Sequence, residues 1–177
     1  SSHQSNSEAG GGAGGSGIVI LRYETNQAKT SEKANVFSAA TGGTKTTDNA
    51  YAVHTFTSSG TFTTTTKVQQ AEILIVAGGA GGAGVGPSNG GGVGGGGAGG
   101  VLYATGVSLD VGATYHCDIG AGGTAGSPTG PSGVSGNGSD TTFGPIHLLT
   151  LNMQNNIQTA ANVASNATGY LTAIGGG

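Results

Sequence analysis

The sequence predicts a mainly β fold: a small β-sandwich or β-sheet domain with glycine-rich segments packed as extended, polyglycine II-like helices. Three observations lead there. Gly, Thr, Ala and Ser fill 100 of the 177 positions, 39 of them Gly, and there is no Trp. Glycine costs about 1 kcal/mol per helical position relative to Ala, so a helical bundle is excluded. The glycines are clumped, without the strict Gly-X-Y period and abundant proline of collagen. Each clump borders a short β-branched run, and a net charge of −3 is too small for charge-driven disorder.

The first glycine block, 10–17, leads into Ile18-Val19-Ile20-Leu21-Arg22-Tyr23, which reads as a strand. Residues 24–50 read as a polar linker with one weak strand and a turn at Thr41-Gly42-Gly43. Between Tyr51 and Thr66, Val53, Thr55 and Thr57 alternate with His54 and Phe56. A Ser58-Ser59-Gly60 turn and Phe62 follow, which predicts a hairpin. Ile73-Leu74-Ile75-Val76 reads as a core strand buried on both faces.

From Gly78 to Gly100, 15 of 23 residues are glycine. A flexible coil is one reading. The other is packed helices with three residues per turn, whose backbones approach closely and exchange hydrogen bonds while Ala occupies outward positions. Interleaved Ala and Val, and the apolar strands on either side, favour the packed form. Strands at 101–103 and 107–111 follow. The next, 114–119, sets Tyr115, Cys117 and Ile119 on one face and Thr114, His116 and Asp118 on the other. After a third glycine block, 120–138, Met153, Ile157, Ala160, Ala161 and Ala164 recur at helical spacing and predict one short helix over 152–165.

Little in this pattern supports chemistry. All five basic residues lie in the first 67 positions; the charges beyond them are Glu72, Asp110, Asp118 and Asp140 alone. Nucleic acid and anionic membrane surfaces need a basic face, so both are excluded as partners. The longest purely apolar run, Ile73 to Ala77, is too short to span a bilayer, so no membrane insertion is expected. Cys117 is the only cysteine, which precludes an internal disulfide. Glu72-Ile-Leu-Ile-Val-Ala77 with Gly79, Gly81 and Gly84 spells a dinucleotide fingerprint, but no helix can start among the following glycines. In His116-Cys117-Asp118, strand geometry turns the cysteine away from its neighbours, leaving a buried structural thiol. His116 and Asp118 share a face and form a weak metal-ligand pair, with His54 or His147 as third ligand; solvent-facing polar residues are the plainer reading. No cofactor is expected.

Ala40-Thr-Gly-Gly-Thr-Lys-Thr-Thr-Asp48, Val53 to Phe62, Glu72 to Gly79, Gly99-Gly-Val-Leu-Tyr103, Tyr115 to Gly123 and Gly136 to Gly144 form an ordered set of motifs. With Ser16 to Tyr23, the set resembles the glycine-rich module of bacteriophage tail-fibre and adhesin proteins, over most of residues 10–144. The resemblance implies a β-structured, non-enzymatic virion appendage or extracellular fibre. Its partners would be copies of itself and a bacterial surface glycan or outer-membrane protein. No catalytic residue carries over.

Two departures stand out. Residues 145–170 interrupt the passage from Phe143-Gly144 to Thr172-Ala173-Ile174. The Ser16–Tyr23 motif, which closes a module in that family, here precedes one. The expected organisation is therefore 1–23 as a glycine-rich lead and strand completing a preceding or neighbouring module, 24–50 as linker, and 51–177 as the module with an insertion at 145–170. Ile18, Val19, Ile20, Leu21 and Tyr23 form the expected assembly strand. Either the module is permuted and self-closed, or subunits join head to tail by strand addition into an open filament. A cellular extracellular filament is the alternative function. An enzyme such as a depolymerase would need paired acids, which the four acids scattered over the last 110 residues do not supply.

Overall fold

A computed structural model describes residues 10–27, 36–37, 39–85, 94–128, 133–147, 152–153 and 168–177. Among them the regular elements are strands: β1 Ile18–Glu24, β2 Asn26–Gln27, β3 Val36–Phe37, β4 Ala40–Thr41, β5 Thr44–Asp48, β6 Tyr51–Phe56 and β7 Gly60–Thr64. They continue with β8 Val68–Val76, β9 Val101–Leu109, β10 Thr114–Asp118, β11 Thr141–His147, β12 Asn152–Met153 and β13 Thr168–Ala173. Two antiparallel sheets result, ordered β12-β9-β8-β1-β6-β5 and β13-β11-β10-β7-β4, with β2 and β3 paired separately.

Period-two alternation explains the layering. In the six-stranded sheet Val19, Leu21 and Tyr23, Ala52, His54 and Phe56, and Ile73 and Ile75 are buried. Phe62, Tyr115, Cys117, Phe143 and Leu171 answer them from the five-stranded sheet. Aromatic rings tie the layers together. His54 stacks on Tyr23 at 5.7 Å and meets Phe62 edge-on at 5.1 Å. Phe62 in turn contacts Phe143, which stacks on Tyr115 at 5.5 Å.

His54 is buried yet satisfied. Its Nδ1–H donates to the Gly42 carbonyl at 2.7 Å, so Nε2 accepts the Tyr23 hydroxyl at 3.2 Å. Burial lowers its pKa below the usual 6.5, outweighing the Gly42 bond, which raises it. The unfolded chain then binds the extra proton first, so stability holds above about pH 6.5 and declines as pH falls toward the depressed folded value. Urea midpoints of the wild-type protein should drop between pH 7.5 and 5 by more than those of His54→Gln. Equal slopes would show that His54 is not buried in its neutral form.

Several expectations change. The 51–66 region is not a paired hairpin: β6 pairs with β1 and β5, whereas β7 pairs with β10 and β4. The bend at 57–59 carries the chain from one sheet to the other, so that Phe56 and Phe62 enter one core from opposite layers. In β8, Ile73 and Ile75 are buried but Leu74 and Val76 are only half-buried, because they face away from the second sheet. The stretch read as a linker carries β4 and β5, and β5 is exposed throughout. Asn152 and Met153, the expected start of a helix, instead pair with Thr105 and Ala104 of β9. β12 takes the outer side of β9, and ladder pairing there overrides helical periodicity. Residues 154–165 of that helix lie outside the described residues.

β1 lies in the interior of the sheet of its own chain, with Val19 opposite Phe56 on β6 and Ile75 on β8. A strand supplied by a neighbouring subunit would have to displace it from this slot.

Candidate functional site

Six strands run on into glycine segments at one end of the sandwich. β9, β8 and β1, adjacent in one sheet, continue as 94–100, 77–85 and 10–17. β13, β11 and β10, adjacent in the other, continue as 174–177, 133–140 and 119–128. Sheets filled by side chains pack about 10 Å apart. Without side chains the two layers close until their backbones bond to each other.

The bonding repeats every third residue. Ala77, Ala80 and Ala83 donate N–H bonds to Gly100, Gly97 and Gly94. Gly78, Gly81 and Gly84 donate to Ser139, Gly136 and Gly133, and Gly79 and Gly82 to Gly15 and Gly12, all these bonds falling between 2.8 and 3.1 Å. The same segment accepts bonds from Gly123, Gly126 and Gly176. Segment 77–85 is thus the centre of a polyglycine II-like bundle, bonded to all five neighbours. Side chains fasten the bundle to the sandwich: the Thr141 hydroxyl accepts from Gly120 N–H, and the Asp140 carboxylate from Gly175 N–H.

Glycine is demanded on one register of segments 10–17 and 77–85, and on two of 94–100, 119–128 and 174–177. A Cβ on Gly81 would lie 2.0 Å from the Thr124 carbonyl oxygen, and one on Gly14 1.9 Å from that of Gly79. On the open register, a Cβ on Gly82 would meet nothing closer than 3.5 Å, and one on Gly12 or Gly15 nothing within 4 Å. Alanine takes the remaining register at 77, 80 and 83.

The residues singled out from sequence are distributed as follows. Ile18 and Ile20 lie half-buried on the outer face of β1, while Val19, Leu21 and Tyr23 point into the core. His116 and Asp118 are exposed on β10. His54 lies in the core of the opposite sheet with both ring nitrogens engaged, so it cannot join them; the side chain of His147 lies outside the described residues. Among the described residues no three His, Cys, Asp or Glu side chains come together as metal ligands. Burial, with a smaller push from Asp118, raises the Cys117 thiol to about 12. A thiol reagent at pH 8 should leave the native protein unmodified and label Cys117 only in denaturant; rapid native labelling would mean an accessible thiol. Segment 77–85 continues β8 as an extended helix, so the dinucleotide motif lacks its α-helix.

Two surface features escaped sequence reading. A polar cleft of about 230 Å³ lies along the β6–β7 bend, lined by Gly43, Thr44 and the stretch from Thr55 to Thr61. On the outer face of the six-stranded sheet, Arg22 bonds Glu72 at 2.9 Å and its guanidinium lies 3.5 Å over the Tyr51 ring. Tyr103 flanks Glu72; partial burial, and then the Glu72 carboxylate, push its phenol pKa up.

A family model described as a glycine-rich domain matches residues 56–177, more than half of the chain. The chain belongs to the glycine-rich domain family. The matched glycine-rich domain contains five of the six bundle segments, while 10–17 and β1 precede it. No curated protein and no solved structure gives a significant match. Among the described residues no helix is long and apolar enough to cross a membrane.

Proposed function

We propose that this glycine-rich domain protein is a non-enzymatic structural and binding subunit of an extracellular fibre, a phage tail fibre or adhesin that assembles with copies of itself and contacts a bacterial surface. The observation that carries the reading is the six-segment bundle continuing both sheets of the sandwich. A backbone-bonded rod of this kind suits a mechanical extension better than a reaction centre, since its atoms are committed to holding one another. The ordered resemblance to phage fibre modules supports the same reading and suggests a surface glycan or outer-membrane protein as receptor.

A second reading is a cellular filament built by strand addition, in which a neighbouring copy's β1 would replace the chain's own between β6 and β8 and gain the same two ladders. Negative-stain micrographs of the purified protein, with adsorption of the labelled protein to a panel of bacterial strains, test the proposal. Fibres or defined oligomers that adsorb to a subset of strains are expected. Monomers that adsorb to none, or protein that degrades host polysaccharide, would overturn it. Antibody labelling of filaments on cells rather than of virions would favour the second reading.

A further inference from the structure

The outer face of the six-stranded sheet carries a line of side chains that the core does not use. Tyr103 on β9, Glu72 on β8, Arg22 on β1 and Tyr51 on β6 follow one another across four adjacent strands. Register fixes the order: Arg22 stands opposite Glu72, Glu24 opposite Tyr51, and Leu74 opposite Tyr103. Asp48, opposite Tyr51, extends the polar line to β5. The line runs diagonally, three strand spacings of about 4.8 Å across and about four residues of about 3.3 Å along the strands, which makes it roughly 20 Å long. Its groups remain reachable: the Tyr103 residue is 41% exposed, and the Arg22 and Glu72 side chains 34% and 36%.

We propose that this line binds a neutral polysaccharide chain of the bacterial surface. The inference rests on the adhesin reading above and gives it a contact site. At one end the exposed Tyr103 ring offers a flat apolar face with a polar tip, suited to the C–H face of a sugar ring; at the other, Tyr51 has one face covered by the Arg22 guanidinium and holds that group in place. Between them a carboxylate that accepts and a guanidinium with five donors, one of them engaged by Glu72, match the mixed donors and acceptors of neighbouring hydroxyls. Half-buried Leu74 and Ile20 beside the line provide an apolar floor. The Arg22–Glu72 pair is internally neutralised, so a polyanion finds no free basic cluster here. Small ligands take concave pockets; a flat line on a sheet suits an extended polymer.

The test uses the full chain on an array of isolated neutral bacterial polysaccharides, with alginate and teichoic acid as polyanions. Wild type, Tyr103→Ala, Arg22→Gln and Tyr170→Ala are compared; Tyr170 is an exposed tyrosine on the opposite sheet. Wild type and Tyr170→Ala should bind the same neutral chains. Tyr103→Ala and Arg22→Gln should each weaken binding about tenfold or more, with melting temperatures close to wild type. Retention of no neutral polysaccharide by wild type, preference for the polyanions, or undiminished binding by both line variants would overturn the proposal. Adsorption to cells separates the two levels. Equal adsorption by wild type and line variants removes this site but keeps the adhesin reading, whereas a wild type that adsorbs to no strain removes that reading.

Discussion

Deleting residues 1–23 should abolish cooperative folding. The deletion removes all but the last residue of β1, and with it Val19, Leu21 and Tyr23, three of the most deeply buried side chains. Each is worth about 1.5–3 kcal/mol by burial, against a whole-domain stability of about 5–15 kcal/mol. The loss also strips β6 and β8 of a shared ladder partner and takes segment 10–17 out of the glycine bundle. Far-ultraviolet circular dichroism during a urea titration would show no sigmoidal transition. A peptide of residues 10–24 added in trans should restore one, because both ladder partners of β1, β6 and β8, are retained in the rest of the chain. A deletion variant with the wild-type midpoint would show that β1 does not occupy that slot, and a peptide that restores folding would show the slot open to strands from other copies.

Gly81→Ala should lower the melting temperature by roughly 5–10 °C, while Gly82→Ala leaves it nearly unchanged. The two glycines are sequence neighbours in the same helix and differ by one-third of a turn. At 81 the new methyl would enter the space of the Thr124 carbonyl, a backbone atom held by its own bond from Gly136 N–H. Overpacking of this kind costs about 1–3 kcal/mol, and 1 kcal/mol moves the midpoint of a chain of this size by about 2–4 °C. At 82 the nearest atom is 3.5 Å away and φ lies outside the left-handed region. The loss of unfolded-state freedom can then stabilise by about 0.4–1 kcal/mol. Differential scanning calorimetry of both variants gives the comparison directly; equal shifts would mean that the three-residue register is not as described.

The sequence carries much of this architecture where one side-chain pattern has one physical meaning. Alternation at 114–119 places Cys117 inward and His116 and Asp118 outward, as the structure has them. Alanine at 77, 80 and 83 between glycine pairs is the trace of a three-fold helix. What could not be read depends on partners distant in the chain. The 51–66 pattern is identical whether β6 and β7 pair or face each other across a core, and only the other strands decide. β5 is threonine-rich and exposed on both faces, so no alternation marks it. The Tyr103–Glu72–Arg22–Tyr51 line is drawn from four strands and exists only once β1 is inserted. Within the glycine runs, strict and permissive positions share one letter, so the demand at 81 and the freedom at 82 become visible only in three dimensions.

The bundle also bears on how the protein responds to temperature. Exposing apolar surface on unfolding raises the heat capacity, whereas exposing polar backbone lowers it. In the sandwich unfolding exposes Phe62, Phe143 and their neighbours; in the bundle it exposes chiefly peptide groups. A fold with so large a share of peptide-on-peptide packing has a smaller heat-capacity change for its length than one built on side chains throughout. Its stability curve is correspondingly broad, changing little between a cold environment and a warm one.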